Sequence, residues 1–139
     1  MKKILSFVIF ISLMVSTAHA QAISINQLLG VWMTSPVEGV TLTYHFFKDN
    51  TFTWETESPE NKMTMDGQFV IEQKNGKEYV VFSDFTSKEF EDMFIVTLIE
   101  FLNNDSFKMD GHSFTKDDIG EYPLEFTSET LVFQRVKTD

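Results

Sequence analysis

The sequence holds no cysteine, three prolines, six glycines and three histidines, and its eleven basic residues stand against 21 acidic ones. Without cysteine there is no disulfide scaffold, thiol nucleophile or thiolate metal site, so stability must come from packing and sheet closure. The formal charge of -10 repels phosphate backbones and anionic lipid surfaces, which sets nucleic-acid binding aside. No His-x-His or His-Glu-x-x-His pattern is present, nor a nucleophile elbow, a glycine-rich phosphate loop or a dinucleotide fingerprint. No cofactor is therefore expected.

The N-terminus carries a basic Met1-Lys2-Lys3 start, an apolar run over residues 4–15 and the small-x-small triplet Ala18-His19-Ala20. That order reads as a signal peptide over residues 1–20, cleaved before Gln21. The run is too short for a retained membrane anchor, which needs about 20 apolar residues. The reading implies an exported protein, periplasmic or secreted, with one domain over residues 21–139 and no membrane insertion after cleavage. A lipid anchor on a new N-terminal cysteine is ruled out.

What remains is aromatic and alternating. Ser24 with Gln27 forms a capping-box pattern for one helical turn ahead of Gly30. Leu42, Tyr44 and Phe46 then alternate with polar neighbours, as in a half-buried strand. A three-residue loop over 48–50, with Asn50 left-handed, pairs Phe46 with Phe52 and Tyr44 with Trp54 on one dry face; a two-residue turn would set Tyr44 against Glu55. Asn75-Gly76 marks a second hairpin after Phe69 and Ile71, and the chain returns through Tyr79 and Val81, with two-residue and three-residue loops both giving an apolar face. Residues 84–92 lack periodicity and suit a loop with a helical turn near Ser87. The turn at 103–105 sets Phe101 near Phe107 and Ile99 near Met109. Tyr122, Leu124 and Phe126 are expected to pair, through a loop over 127–130, with Leu131, Phe133 and Arg135. The result is an all-β fold, a small antiparallel up-and-down β-barrel of eight to ten strands.

Leu28-Leu29-Gly30-Val31-Trp32 resembles the Gly-x-Trp opening of lipocalin and wider calycin barrels, in their leader-bearing bacterial form, and residues 131–135 resemble the closing strand. The resemblance implies a lipocalin-like barrel in which Gly30, Trp32 and Arg135 are structural. Trp32 would sit at the closed base and Arg135 would pack across it, a contact that cation–π attraction and the apolar arginine stem both favour. The chain departs from typical secreted lipocalins in its shortness, its lack of cysteine and the absence of room for a helix after Arg135.

The candidate ligand-binding set is the inward aromatic face: Tyr44, Phe46, Phe52, Trp54, Phe69, Tyr79 and Phe101. A barrel of about eight strands either fills with side chains or holds one small ligand. Tyr44, Tyr79 and Tyr122 are candidate hydroxyl donors, and the mouth is expected opposite Trp32, among the turns near 48–51, 74–77 or 103–105. The sequence thus reads as a non-enzymatic binding protein for a small hydrophobic or amphipathic molecule. The alternative is a filled barrel that meets a protein partner or the envelope through an outer patch drawn from Phe47, Phe85, Phe90 or Ile119. His45, His112 and the Glu55/Glu57 pair read as surface residues. The acidic stretch 105–110 and the Asp117-Asp118 pair do not match a calcium loop.

Overall fold

A computed structural model describes residues 23–137; the expected signal peptide lies outside them. A short helix, α1 (Ile25–Leu28), leads into eight strands: β1 (Gly30–Val37), β2 (Val40–Phe46), β3 (Thr51–Glu57), β4 (Lys62–Lys74), β5 (Lys77–Ser83), β6 (Met93–Asn103), β7 (Ser106–Thr115) and β8 (Leu131–Arg135). Each pairs antiparallel with the next and β8 returns to β1, which closes the barrel. The expected capping box is present, with the Ser24 backbone N–H donating to Gln27 Oε1 at 3.0 Å.

The β2–β3 register follows from the need for one dry face. Asn50 takes φ 66°, Phe46 faces Phe52, and Tyr44 faces Trp54. The Asn75-Gly76 turn uses two residues, both at positive φ, so Phe69 pairs with Phe82 and Ile71 with Val80. Along β4, Gly67 occupies an inward position opposite Phe52; an added Cβ would lie 2.8 Å from the Phe52 ring and 2.8 Å from the Ser83 carbonyl oxygen. The missing side chain is what lets β4 run beneath that ring.

At the base, Trp32 is fully buried and its indole N–H donates to the Leu28 carbonyl at 2.8 Å. The Arg135 guanidinium stacks over the indole at 4.2 Å. Its Nη1 donates to Leu29 O at 2.8 Å, its Nη2 to Gln27 O at 2.8 Å and Asn104 O at 3.2 Å, and its Nε faces Asp105 Oδ1 at 3.2 Å. Gly30, at φ 110°, stands where a Cβ would crowd Nη1 at 3.3 Å. Phe46, Phe69, Phe101, Phe107 and Phe133 pack above this plug.

The expected last hairpin is not formed. β8 pairs with β7, Met109 facing Leu131 and Phe107 facing Phe133, while residues 116–130 run as an irregular strap over the outside of the sheet. Beneath the strap lies a second apolar cluster of Tyr79, Val81, Val96 and Leu98, sealed by Phe94, Phe114, Tyr122 and Phe126. This corrects the inward placement of Tyr79. The two-residue turn sends Val80 and Phe82 inward, and Tyr79 stays dry on the outer face because the strap covers it.

Trp32→Ala is expected to cost about 3–5 kcal/mol in urea unfolding; a loss under about 1 kcal/mol would contradict a basal plug. Gly67→Ala should cost about 1–3 kcal/mol by overpacking against Phe52, and an unchanged midpoint would show that the ring yields freely.

Candidate functional site

In an up-and-down barrel alternate turns share an end. The turns after β2, β4 and β6 lie at the Arg135 end, as the contact between Arg135 and Asn104 requires. The three turns expected to surround the mouth therefore belong to the base. The mouth is formed by the connections after β1, β3, β5 and β7.

The connection over 84–92 shapes the opening. It turns off β5 at Asp84, φ 52°, and is held by Thr86 N–H donating to Asp66 O at 2.9 Å. A 3-10 turn, Lys88–Phe90, then folds Phe90 against the buried Phe85, their ring centroids 6.5 Å apart. Both rings had been candidates for an outer patch; instead they are drawn into the top of the core, because burying two phenylalanines there outweighs leaving them wet. Phe47 and Ile119 do remain exposed.

Below these rings is a cavity of about 140 Å³ whose wall includes Tyr44, Phe52, Trp54, Phe82, Met65 and Met93. The wall is almost wholly apolar. Tyr44 faces this open space and keeps some accessible surface, yet the density of atoms around its hydroxyl desolvates it and pushes its pKa well above the ordinary phenol value. The Trp54 indole N–H is sealed from solvent with no acceptor among the described residues.

Of the expected set, Tyr44, Phe52 and Trp54 line this cavity. Phe46, Phe69 and Phe101 belong to the packed core below it, and Tyr79 is outside the barrel altogether. The Tyr79 hydroxyl donates to Pro123 O at 2.7 Å, and that of Tyr122 donates to Glu72 Oε2 at 2.9 Å. Burial first, and then the Glu72 carboxylate, push the Tyr122 phenol up to about 12. Neither hydroxyl serves the mouth. Phe82, Phe85, Phe90, Met65, Met93, Ile95 and Ser113 are the lining residues that sequence reasoning missed. Phe82 and Met65 were within reach, since each directly faces a predicted inward aromatic once its hairpin register is chosen.

A second hollow, about 200 Å³, lies on the far side of Tyr44 beside Gly111 and Leu131. Its rim is where the strap is tied down. The 2 % exposed Asp110 accepts from the Thr127 backbone N–H at 2.7 Å, the Thr127 hydroxyl at 2.7 Å and the Thr130 hydroxyl at 3.1 Å. His112 Nε2 lies 3.6 Å away. Burial pushes the Asp110 carboxyl up, but these donors together with His112 more than offset it and hold the pKa below the usual value.

No protein-family model matches the chain, and no curated protein matches it. Among solved structures, it is similar to the crystal structure of Treponema pallidum Tp0751 (Pallilysin), with a TM-score of 0.51 over 82% of this chain and 84% of that one, at 5% identity. A likeness at that identity concerns the fold alone. This protein has the closed eight-stranded antiparallel barrel, an architecture consistent with the calycin class.

Among the described residues no three or more His, Asp or Glu side chains gather as a metal site. Asp105 is engaged by Arg135 and Asp110 by the strap, so the acidic stretch that contains them is divided between two structural jobs. Glu55 pairs with Lys62 at 3.1 Å, and His45 stacks on Phe47 at 3.9 Å on the outer wall.

The Asp110 tie gives a signed pH dependence. A carboxyl whose folded pKa is depressed contributes stability that is fully present above the unfolded value, near about 3.9 for Asp, and is lost as pH falls through the folded one. Acid unfolding should accordingly show a shallower low-pH limb in Asp110→Asn than in wild type, with the variant less stable at pH 7. Parallel stability curves for the two proteins would rule out the tie.

Proposed function

We propose that this is an exported, non-enzymatic binding protein of the lipocalin-like kind, which holds one small hydrophobic or amphipathic molecule at the mouth of its barrel, in the periplasm or outside the cell. The observation that carries the reading is the apolar cavity of about 140 Å³ under Phe85 and Phe90. A dry apolar cavity of about 150 Å³ suffices for benzene, whereas drug-sized ligands need about 300 Å³ or more. The occupant is therefore a ring, or the end of a short acyl chain, with the rest of the molecule outside. Binding is passive, drawing about 25 cal/mol from each Å² of apolar surface removed from water.

A second reading is supported by the filled lower barrel and by Met33, Val37 and Phe47, which are 41%, 61% and 37% exposed. On that reading the outer wall meets a protein partner or an envelope component.

Methionine methyl NMR separates the two. Ethylbenzene is expected to shift the Met65 and Met93 methyls, which line the cavity, and to leave those of the exposed Met33 and Met63 unmoved. Still signals at Met65 and Met93 would count against a binding cavity and in favour of the outer wall. Native mass spectrometry of protein isolated from its own source should then reveal a bound small molecule.

A further inference from the structure

At the base of the barrel, Glu78 has both carboxyl oxygens shut off from solvent and meets no hydrogen-bond partner among the described residues. It stands on β5 opposite Gln73, in the inward row of Val80 and Phe82. Burial pushes its pKa up. The Ile23 backbone N–H, close enough to act on the charge but short of a full hydrogen bond, offsets part of that rise. A carboxyl sealed in this way without a partner is costly and calls for an explanation. The group that does meet it comes from the N-terminal segment.

The nearby cations are engaged elsewhere. Lys77 precedes Glu78 on the strand and so points to the opposite face of β5. Lys74 lies over the Tyr122 ring at 4.4 Å, Lys108 pairs with Glu100 at 3.7 Å, and Arg135 belongs to the Trp32 plug. Among the described residues no basic side chain forms an ion pair with Glu78.

Hollows of about 370 and 330 Å³ flank the carboxyl, one bounded by Ile71 and Gln73 and the other by Ile99 and Phe101, and Ile23 stands in the wall of both. The chain thus enters the fold directly beside Glu78. The expected leader cleavage adds water across the Ala20–Gln21 bond, leaving a carboxylate on Ala20 and a new α-amino group on Gln21. With an ordinary pKa of about 7.7–8.0, that amine is mostly protonated at neutral pH. Two residues span at most about 7 Å, so the charge is tethered beside Ile23 and folds in with the chain, with no need to enter through a sealed wall.

Resting on the export reading above, we infer that Glu78 is the docking site for the α-ammonium group that cleavage before Gln21 creates, so that the base of the barrel is completed only in the exported chain. The uncleaved chain has a neutral peptide N–H at that position. Cleavage therefore supplies the counter-charge, and the two hollows beside Ile23 give residues 21 and 22 room to fold back onto the carboxylate.

Cyclising Gln21 to pyroglutamate tests this, because the amine attacks its own side-chain amide, expels ammonia and loses its charge. The intact mass of protein from its own envelope should first show a chain that starts at Gln21 with the amine free. The reaction is then driven to completion in the unfolded chain, and free and cyclised forms are compared by urea unfolding at pH 6. Cyclisation should lower the folding equilibrium constant of the wild type by at least about tenfold, as expected for losing a hydrogen bond between charged groups. In Glu78→Gln the two forms should agree within about threefold. Equal stability of the two wild-type forms, or the same loss in Glu78→Gln, overturns the proposal while leaving the export reading intact. So does a chain already cyclised in its own envelope, or one that starts at another residue. A chain that keeps residues 1–20 removes both. The two wild-type forms decide the question even if the variant does not fold.

Discussion

The barrel depends on the contact between Trp32 and Arg135. β1 and β8 share only two residue pairs, Trp32 with Arg135 and Met33 with Gln134, so the ladder that closes the sheet is its shortest. Closing it brings together segments 106 positions apart in the bond between Arg135 and Leu29, with the loop-closure entropy that such a separation carries. The guanidinium offsets this by satisfying several groups at once. It joins α1, the start of β1 and the β6–β7 turn around one planar fork, and its face covers the indole. A lysine would bring three donors from a single point and no plane to stack, so it could not replace those contacts.

A dry lower barrel follows from that plug. Trp32 lies 4.5 Å from Phe107 and 5.8 Å from Phe101, and Phe107 stacks on Phe133 at 5.2 Å. Aromatic volume therefore accumulates from the base upward, and whatever space remains must lie near the mouth. The strap works on the other side of the wall. By covering β5 and β6 it buries Tyr79, Val81, Val96 and Leu98 on the outside while Val80 and Phe82 pack into the interior, so these strands have two dry faces.

That double burial explains where the sequence was legible and where it was not. Between β2 and β3 one face is wet and the other dry, so polar and apolar residues alternate and only one register keeps the aromatics together. Along β5 both faces are apolar, and alternation carries no information about which side is inside. The strap alternates at Tyr122, Leu124 and Phe126 and so imitates a strand, yet Tyr122 and Phe126 reach their cluster from irregular chain and Leu124 stays exposed. Phe85 and Phe90 suffer the same blindness, since nothing local in residues 84–92 distinguishes a ring that caps a cavity from one left in solvent. The position of the mouth was different, because strand parity alone assigns the turns at 48–50, 75–76 and 103–105 to the end held by Arg135.

The same packing limits what the interior can accept. The hollows of about 140 and 200 Å³ share Tyr44 and Ile95 as a wall. Joined, they would approach the room that larger amphipathic ligands need; apart, neither reaches about 300 Å³. Tyr44 is the partition, and it is firmly held. Its ring meets Phe46 at 5.6 Å, Phe52 at 6.3 Å, Phe82 at 5.3 Å and Phe133 at 5.5 Å. Moving it would break aromatic contacts worth about 0.5–1.5 kcal/mol each beyond their buried area. A ligand that gained its affinity by joining the two spaces would have to supply all of that. The aromatics that make the mouth apolar are thus the same ones that keep it small, and its size is set by packing rather than by any single residue.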